Sequence, residues 1–305
     1  MNLKLFRRRP AQTGRKQRFK RPGVSIAASL FFASCQDDGR VTVDLVTEPP
    51  ANSALQQVVV PLLGVEFRRS DGTTERFEFR QSEPLDLANR FGNDTLRLLS
   101  NEELPTGNYT GVRLLFDTRN ADDAFLIDRI GAQRTLTLVS GEYAAISLNI
   151  EEDESSDEEL TLTLDARLSL SEIDDNEYQF EPFLRSVRTE DAAELSGLVT
   201  LTESCIGSGA IINEPAVYLF RGEDVTPDDL DGEDAEPFAT APVLNALGGN
   251  PSYALRFLPA GTYTLALACA GQEEDPSSDD DLRFNVTVNI ELEEGKAVSR
   301  NLSAR

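Results

Sequence analysis

Alternation of apolar and polar residues with period two, interrupted at short intervals by turn-forming residues, is what most constrains this chain. Val41, Val43 and Leu45 alternate with Thr42 and Asp44, and Leu160, Leu162 and Leu164 with Thr161, Thr163 and Asp165. Residues 76–80, 134–139 and 145–150 repeat the pattern. Successive side chains of a strand point to opposite faces, so this pattern marks half-buried strands of antiparallel sheets. Ser70-Asp71-Gly72, Pro105-Thr106-Gly107 and Ser140-Gly141 supply the breaks. The expected fold is all-β: two antiparallel β-sandwich domains behind an export leader.

A chain of 305 residues has room for about two domains. The first is expected over residues 41–190. A short polar stretch follows, and a second alternating pattern begins at Glu194 and Leu195 and continues to 305. It holds about seven short strands, the size of an immunoglobulin-like sandwich.

Composition narrows the chemistry. The chain has no His and no Trp, and its single Met is Met1. Ser-His-Asp and Cys-His catalysis are excluded, as is any His-ligated metal. Hydrolysis by paired carboxylates is the remote alternative. Asp165 sits in an alternating strand, where a hydrogen-bonded core carboxylate is expected rather than a catalyst. Nine of the 29 basic residues precede residue 35, where there is no acid, which leaves 20 against 53 acidic residues and a net charge near −33 beyond the leader. Such a surface repels nucleic acid, so no nucleic-acid partner is expected. Residues 151–159 carry seven acids in nine positions, a run that repels itself into solvent. Residues 228–234 resemble a calcium loop superficially but lack its period and terminal Glu. No metal and no cofactor are therefore expected.

The amino terminus reads as an address. Basic residues run to Arg21, and residues 24–34 form an apolar run. Eleven helical residues cover about 16 Å, roughly half a bilayer core, which suits a signal segment and not a membrane span. Arg7, Arg8 and Arg9 are read as charge of that leader. Phe32, Ala33, Ser34 and Cys35 resemble the lipobox cut by lipoprotein signal peptidase. The resemblance implies that residues 1–34 are removed, that acyl chains such as palmitate join Cys35, and that residues 35–40 form a lipidated linker. Two or three chains hold a protein on a bilayer far more firmly than one. Gln36 after the Cys implies the outer membrane, facing periplasm or cell surface.

The order of segments 41–46, 58–60, 64–69, 85–87, 104–114, 162–170 and 178–187 resembles the lipoprotein family called domain of unknown function 4382, over roughly residues 40–188. The resemblance implies an all-β lipoprotein domain without an established activity. In Leu104–Leu114, Pro105 and Gly107 are expected to shape a corner from which Tyr109 starts a strand, its hydroxyl on a backbone carbonyl. Ligand recognition by Tyr109 or Arg113 is the alternative. Leu258, Pro259, Gly261 and Tyr263 repeat the spacing. They resemble the corner strand of prealbumin-like and carboxypeptidase regulatory-like sandwiches, which usually serve as stalks or supports. Cys205 and Cys269 lie near strand ends in this part and are expected to form a disulfide in an exported protein, with two separate buried thiols as the alternative. The expected function is non-catalytic: a binding or structural lipoprotein, its partners the bilayer through Cys35 and a glycan or protein ligand. A carbohydrate- or calcium-binding adhesin module is the alternative.

Overall fold

The computed structural model describes residues 5–7, 39–89, 95–151, 157–174, 177–208, 211–231, 235–247, 249–280 and 282–304. The chain is all-β. Among the described residues the only α-helix is the single turn Glu203–Ile206.

Residues 41–180 supply one apolar core and residues 193–304 another, with a small satellite cluster. The amino-terminal unit packs a nine-stranded sheet on a four-stranded one. The four-stranded sheet runs Phe183–Arg188, Asp157–Asp165, Gly39–Glu48, Leu96–Leu104. Val41, Val43 and Leu45, with Leu160, Leu162 and Leu164, point from it into the core, as the alternation requires. The long strand Gln57–Arg69 meets them from the other sheet through Val58, Val60, Leu62, Val65 and Phe67. Leu5–Arg7, placed in the leader by sequence, pairs with residues 77–79 as a three-residue edge strand.

Most strand pairs are antiparallel, as expected, but not all. Gly39–Glu48 runs parallel to Asp157–Asp165, and Glu177–Phe180 parallel to Gln133–Leu138. Such neighbours lie far apart in sequence, and alternation reports faces, not strand direction.

The carboxy-terminal unit has a sheet built on Ala193–Thr200, which pairs antiparallel with Ser252–Leu258 and parallel with Ala297–Ser299 and Leu302–Ser303. A second sheet runs Ala239–Pro242, Ala216–Arg221, Gly261–Ala268, Phe284–Leu292. Its central strands are covered on both faces. Val217, Leu219, Leu265 and Leu267 enter the main core, while Tyr218, Phe220 and Ala266 form the satellite cluster, with Val225 and Phe284 packed on it.

Both units turn the same corner. Gly107 and Gly261 hold φ of 149° and 154°, values that favour glycine. Two residues on, the hydroxyl of Tyr109 donates to the Pro105 carbonyl at 2.7 Å, and that of Tyr263 to the Pro259 carbonyl at 2.8 Å. Each hydroxyl satisfies a carbonyl that the turn removes from the ladder.

Candidate binding groove and the buried junction beside it

Three strands of the four-stranded sheet bring charged residues together at one end. Asp165 lies opposite Glu48 in the parallel pair, and Thr163 opposite Arg185 in the antiparallel pair. With period two, Glu48, Thr163, Asp165 and Arg185 share one face, the face turned away from the apolar core. That face is not in solvent. Thr161, Thr163 and Asp165 are each at most 1% exposed, and Arg185 is 3% exposed, because the carboxy-terminal unit sits on them.

Asp165 is the center of this junction. Its Oδ2 accepts from the backbone N–H of Thr240 at 2.9 Å and from the Thr240 hydroxyl at 2.7 Å, both in the carboxy-terminal unit. Its Oδ1 accepts from the N–H groups of Arg167 and Leu168 at 3.2 and 3.4 Å. Arg167 Nη1 donates to the Gly271 carbonyl, and Arg185 Nη2 to the Arg256 carbonyl at 3.5 Å. Ser53 donates twice to Glu214, and the N–H of Glu172 donates to Asp275. A buried charge is costly unless it is paired and hydrogen-bonded. Asp165 meets that condition through four donors, two from each unit.

Glu48 does not. Its carboxylate stands 3.7 Å from Arg185 Nη2, and its side chain is 13% exposed. Burial, reinforced by the Asp165 charge and only partly offset by Arg185, pushes its pKa from 4.5 up to about 8. Burial likewise pulls Arg185 down, against Glu48 and Asp165. Desolvation thus outweighs attraction on both sides of this pair.

Beside the junction, a half-open groove of about 730 Å³ runs between the units. Residues 49–53, Leu55 and Ala88 form one wall, residues 213–215 and 242–247 the other, and buried Arg167 contributes to its lining. Four prolines, Pro49, Pro50, Pro215 and Pro242, line it and offer no N–H. Leu244 and Leu247 stand 51% and 67% exposed at its edge. Asn52, Asn213 and Asn245 bring side-chain amides to the walls, and Arg167 Nε has no hydrogen-bond partner. Concave, mainly apolar sites with a few convergent polar groups are where ligands bind.

The residues singled out by sequence fare differently. Phe32, Ala33, Ser34 and Cys35 lie outside the described residues, as does most of the acidic run at 152–156. Cys205 and Cys269 form a disulfide with Cα atoms 4.9 Å apart. Tyr109 is 1% exposed and is used in its corner. Arg113 is spent on Glu66, which also takes hydrogen bonds from Arg76 and Tyr143. Burial pushes the Glu66 carboxyl up, but these donors hold it below its usual range. Asp165 is the hydrogen-bonded core carboxylate expected of it. Sequence reasoning missed its partners Glu48, Arg185 and Thr240. The register Asp165 opposite Glu48 depends on a parallel pairing that no local signal announces.

No curated protein matches the chain. Among solved structures, a candidate adhesin of Bacteroides ovatus is similar at 11% identity over 94% of this chain and 98% of that one, with a TM-score of 0.25. A candidate polysaccharide-binding protein (DUF1812) of Bacteroides thetaiotaomicron is similar at 11% identity, over 81% and 80%, with a TM-score of 0.18. A candidate cell adhesion protein of Bacteroides eggerthii is similar at 11% identity, over 88% and 87%, with a TM-score of 0.19. Scores this low carry nothing about function, and the fold described above rests on the chain's own sheets.

The junction yields a pH prediction. The folded pKa of Glu48, about 8, lies above its ordinary 4.5, so the protonated form is favored by folding. This contribution is complete below pH 4.5 and is lost as pH rises through about 8. The melting temperature of the wild type is expected to fall between pH 5 and 8.5 more steeply than that of Glu48→Gln. Parallel melting curves would refute this.

The family model described as domain of unknown function (DUF4382) matches residues 38–182, most of the amino-terminal β unit of this chain.

Proposed function

We propose that the protein is a non-catalytic binding lipoprotein of the bacterial outer membrane, exported, cleaved before Cys35, acylated there, and facing periplasm or cell surface. The observation that carries the binding role is the groove between the units. Its supports are an apolar, proline-lined wall pair, exposed Leu244 and Leu247, and Asn52, Asn213 and Asn245 in its lining. A protein segment suits this lining better than a glycan. Sugars are commonly held on aromatic faces, and the groove is lined by no Phe or Tyr. The large apolar side chains exposed among the described residues are Ile130, Ile173, Leu198, Leu244 and Leu247, none of them aromatic.

A non-catalytic role for the groove is supported by where the carboxylates of the junction beside it lie. Glu48 and Asp165 face Arg185 in the interior, and neither is among the groove's lining residues. Buried carboxylates cannot reach a substrate. Anchoring is supported by the leader and by Cys35 in a lipobox-like setting. Removal of the leader would take away the edge strand Leu5–Arg7. Thr74–Asp86 keeps its pairing with Gln57–Arg69 on the other side.

Intact-mass analysis of membrane-fraction protein tests the anchoring. The wild type should begin at residue 35 with the added mass of acyl chains, and Cys35→Ser should lose that mass. An intact leader, or an unmodified sulfur at residue 35, would contradict it. Parallel peptide and glycan arrays test the ligand class. Peptide binding that Leu247→Arg abolishes is expected; glycan binding that this substitution leaves unchanged would reverse the reading.

A further inference from the structure

Two acidic loops of the carboxy-terminal unit, far apart in sequence, meet in the fold. After Ala216–Arg221 the chain doubles back, with Val225 packed against the cluster of Tyr218 and Phe220, and reaches Asp229. After Gly261–Ala268 the chain makes the 3-10 turn Gly271–Glu273 and continues through Glu274 to Asp280. One carboxylate oxygen from each of Asp229, Glu274 and Asp280 lies within 4.8 Å of the other two. Asp229, Asp231 and Asp279 form a second such group that shares Asp229.

These are not ordinary surface acids. Asp229 is 1% exposed and Glu274 4%. One oxygen of each is fixed by the other loop: Asp229 Oδ2 accepts from the N–H of Asp280 at 2.7 Å, and Glu274 Oε1 from the N–H of Leu230 at 3.2 Å. The remaining oxygens, Asp229 Oδ1 and Glu274 Oε2, are buried without a hydrogen-bond partner. The Tyr218 hydroxyl is near enough to lower the Glu274 pKa, but without hydrogen-bond geometry. A buried, unpartnered carboxylate oxygen costs several kcal/mol in general, and here two stand in one cluster. Burial pushes Glu274 from 4.5 up to about 7, and burial also raises Asp229 and Asp280. A cation bound among them would remove all three penalties together.

We infer that Asp229, Glu274 and Asp280, with Asp231 and Asp279 completing the shell on the exposed side, form a Ca²⁺ site that ties the loop after Arg221 to the loop after Ala268. The donors are all oxygen, which selects a hard cation. Ca²⁺ takes six to eight oxygens at about 2.3–2.6 Å in flexible geometry, so two ligands on opposite sides of one ion stand about 5 Å apart, a span that each of the two groups fits by itself. Five carboxylates drawn from two loops suit that loose coordination better than the tight octahedron of Mg²⁺. The site is absent from the local sequence pattern because its ligands are split between residues 229–231 and 274–280. The expectation of no metal was drawn from residues 228–234 alone, without the convergence of 229–231 on 274–280.

Purified protein stripped with EDTA tests this, by calorimetric titration with CaCl₂ and by melting with and without the ion. Saturable binding at one site is expected, with a melting temperature raised by roughly 5 °C or more when Ca²⁺ exceeds Kd about 100-fold. Asp229→Asn keeps the acceptor for Asp280 N–H while removing charge. It should lose the Ca²⁺ response and melt in EDTA no lower than the wild type. Glu274→Gln, the second variant, should do the same should Asp229→Asn fail to fold. No saturable binding, an equal response to Mg²⁺, or an undiminished response in both variants would overturn the assignment.

Discussion

One carboxylate holds the two halves of this molecule in register. Asp165 takes two hydrogen bonds from its own unit, through the N–H groups of Arg167 and Leu168, and two from Thr240 across the interface. It sits fully buried at the end of a strand whose apolar face belongs to the first core. The opposite face of that strand is buried as well, with Thr161 on Thr189 and the strand Ser252–Leu258 of the second unit beside it. The groove exists because of this docking. Its two walls come from different units, and Arg167, which lines it, is positioned by the same turn that follows Asp165.

The alternation of Leu160, Leu162 and Leu164 with Thr161, Thr163 and Asp165 made the strand legible and told correctly which face enters the core. It left open what covers the polar face, on which Asp165 was expected as a hydrogen-bonded core carboxylate. Two sheets can bury such a face when its carboxylate finds donors, and the identity of those donors is a long-range fact. Thr240 lies 75 residues from Asp165. Glu48 is its neighbor only through a parallel pairing. The corners at Tyr109 and Tyr263 were legible because each is closed by residues four apart. The pairing of Cys205 with Cys269 was legible because export favors disulfides and the carboxy-terminal unit holds no other cysteine. The acidic loops misled for the opposite reason. Each alone resembles solvated charge, and only their convergence makes Asp229 and Glu274 buried.

Electrostatics divides the molecule into two regimes. Among the described residues many acids are exposed, where water and salt screen them. A minority is buried, and each buried carboxylate is handled differently. Glu66 is satisfied by Arg76, Arg113 and Tyr143. Asp165 is satisfied by backbone N–H groups and a hydroxyl. Glu48 is held toward its neutral form. Asp229 and Glu274 keep oxygens with no protein partner, which is why the proposed cation is placed at their cluster.

Units joined through Asp165 should unfold as one cooperative body. Differential scanning calorimetry of the wild type and Asp165→Ala measures this directly. The account predicts a single transition in the wild type, with calorimetric and van't Hoff enthalpies equal, and a split into two transitions, the first at lower temperature, in Asp165→Ala. Two independent transitions already in the wild type, or an unchanged single transition in the variant, would contradict it.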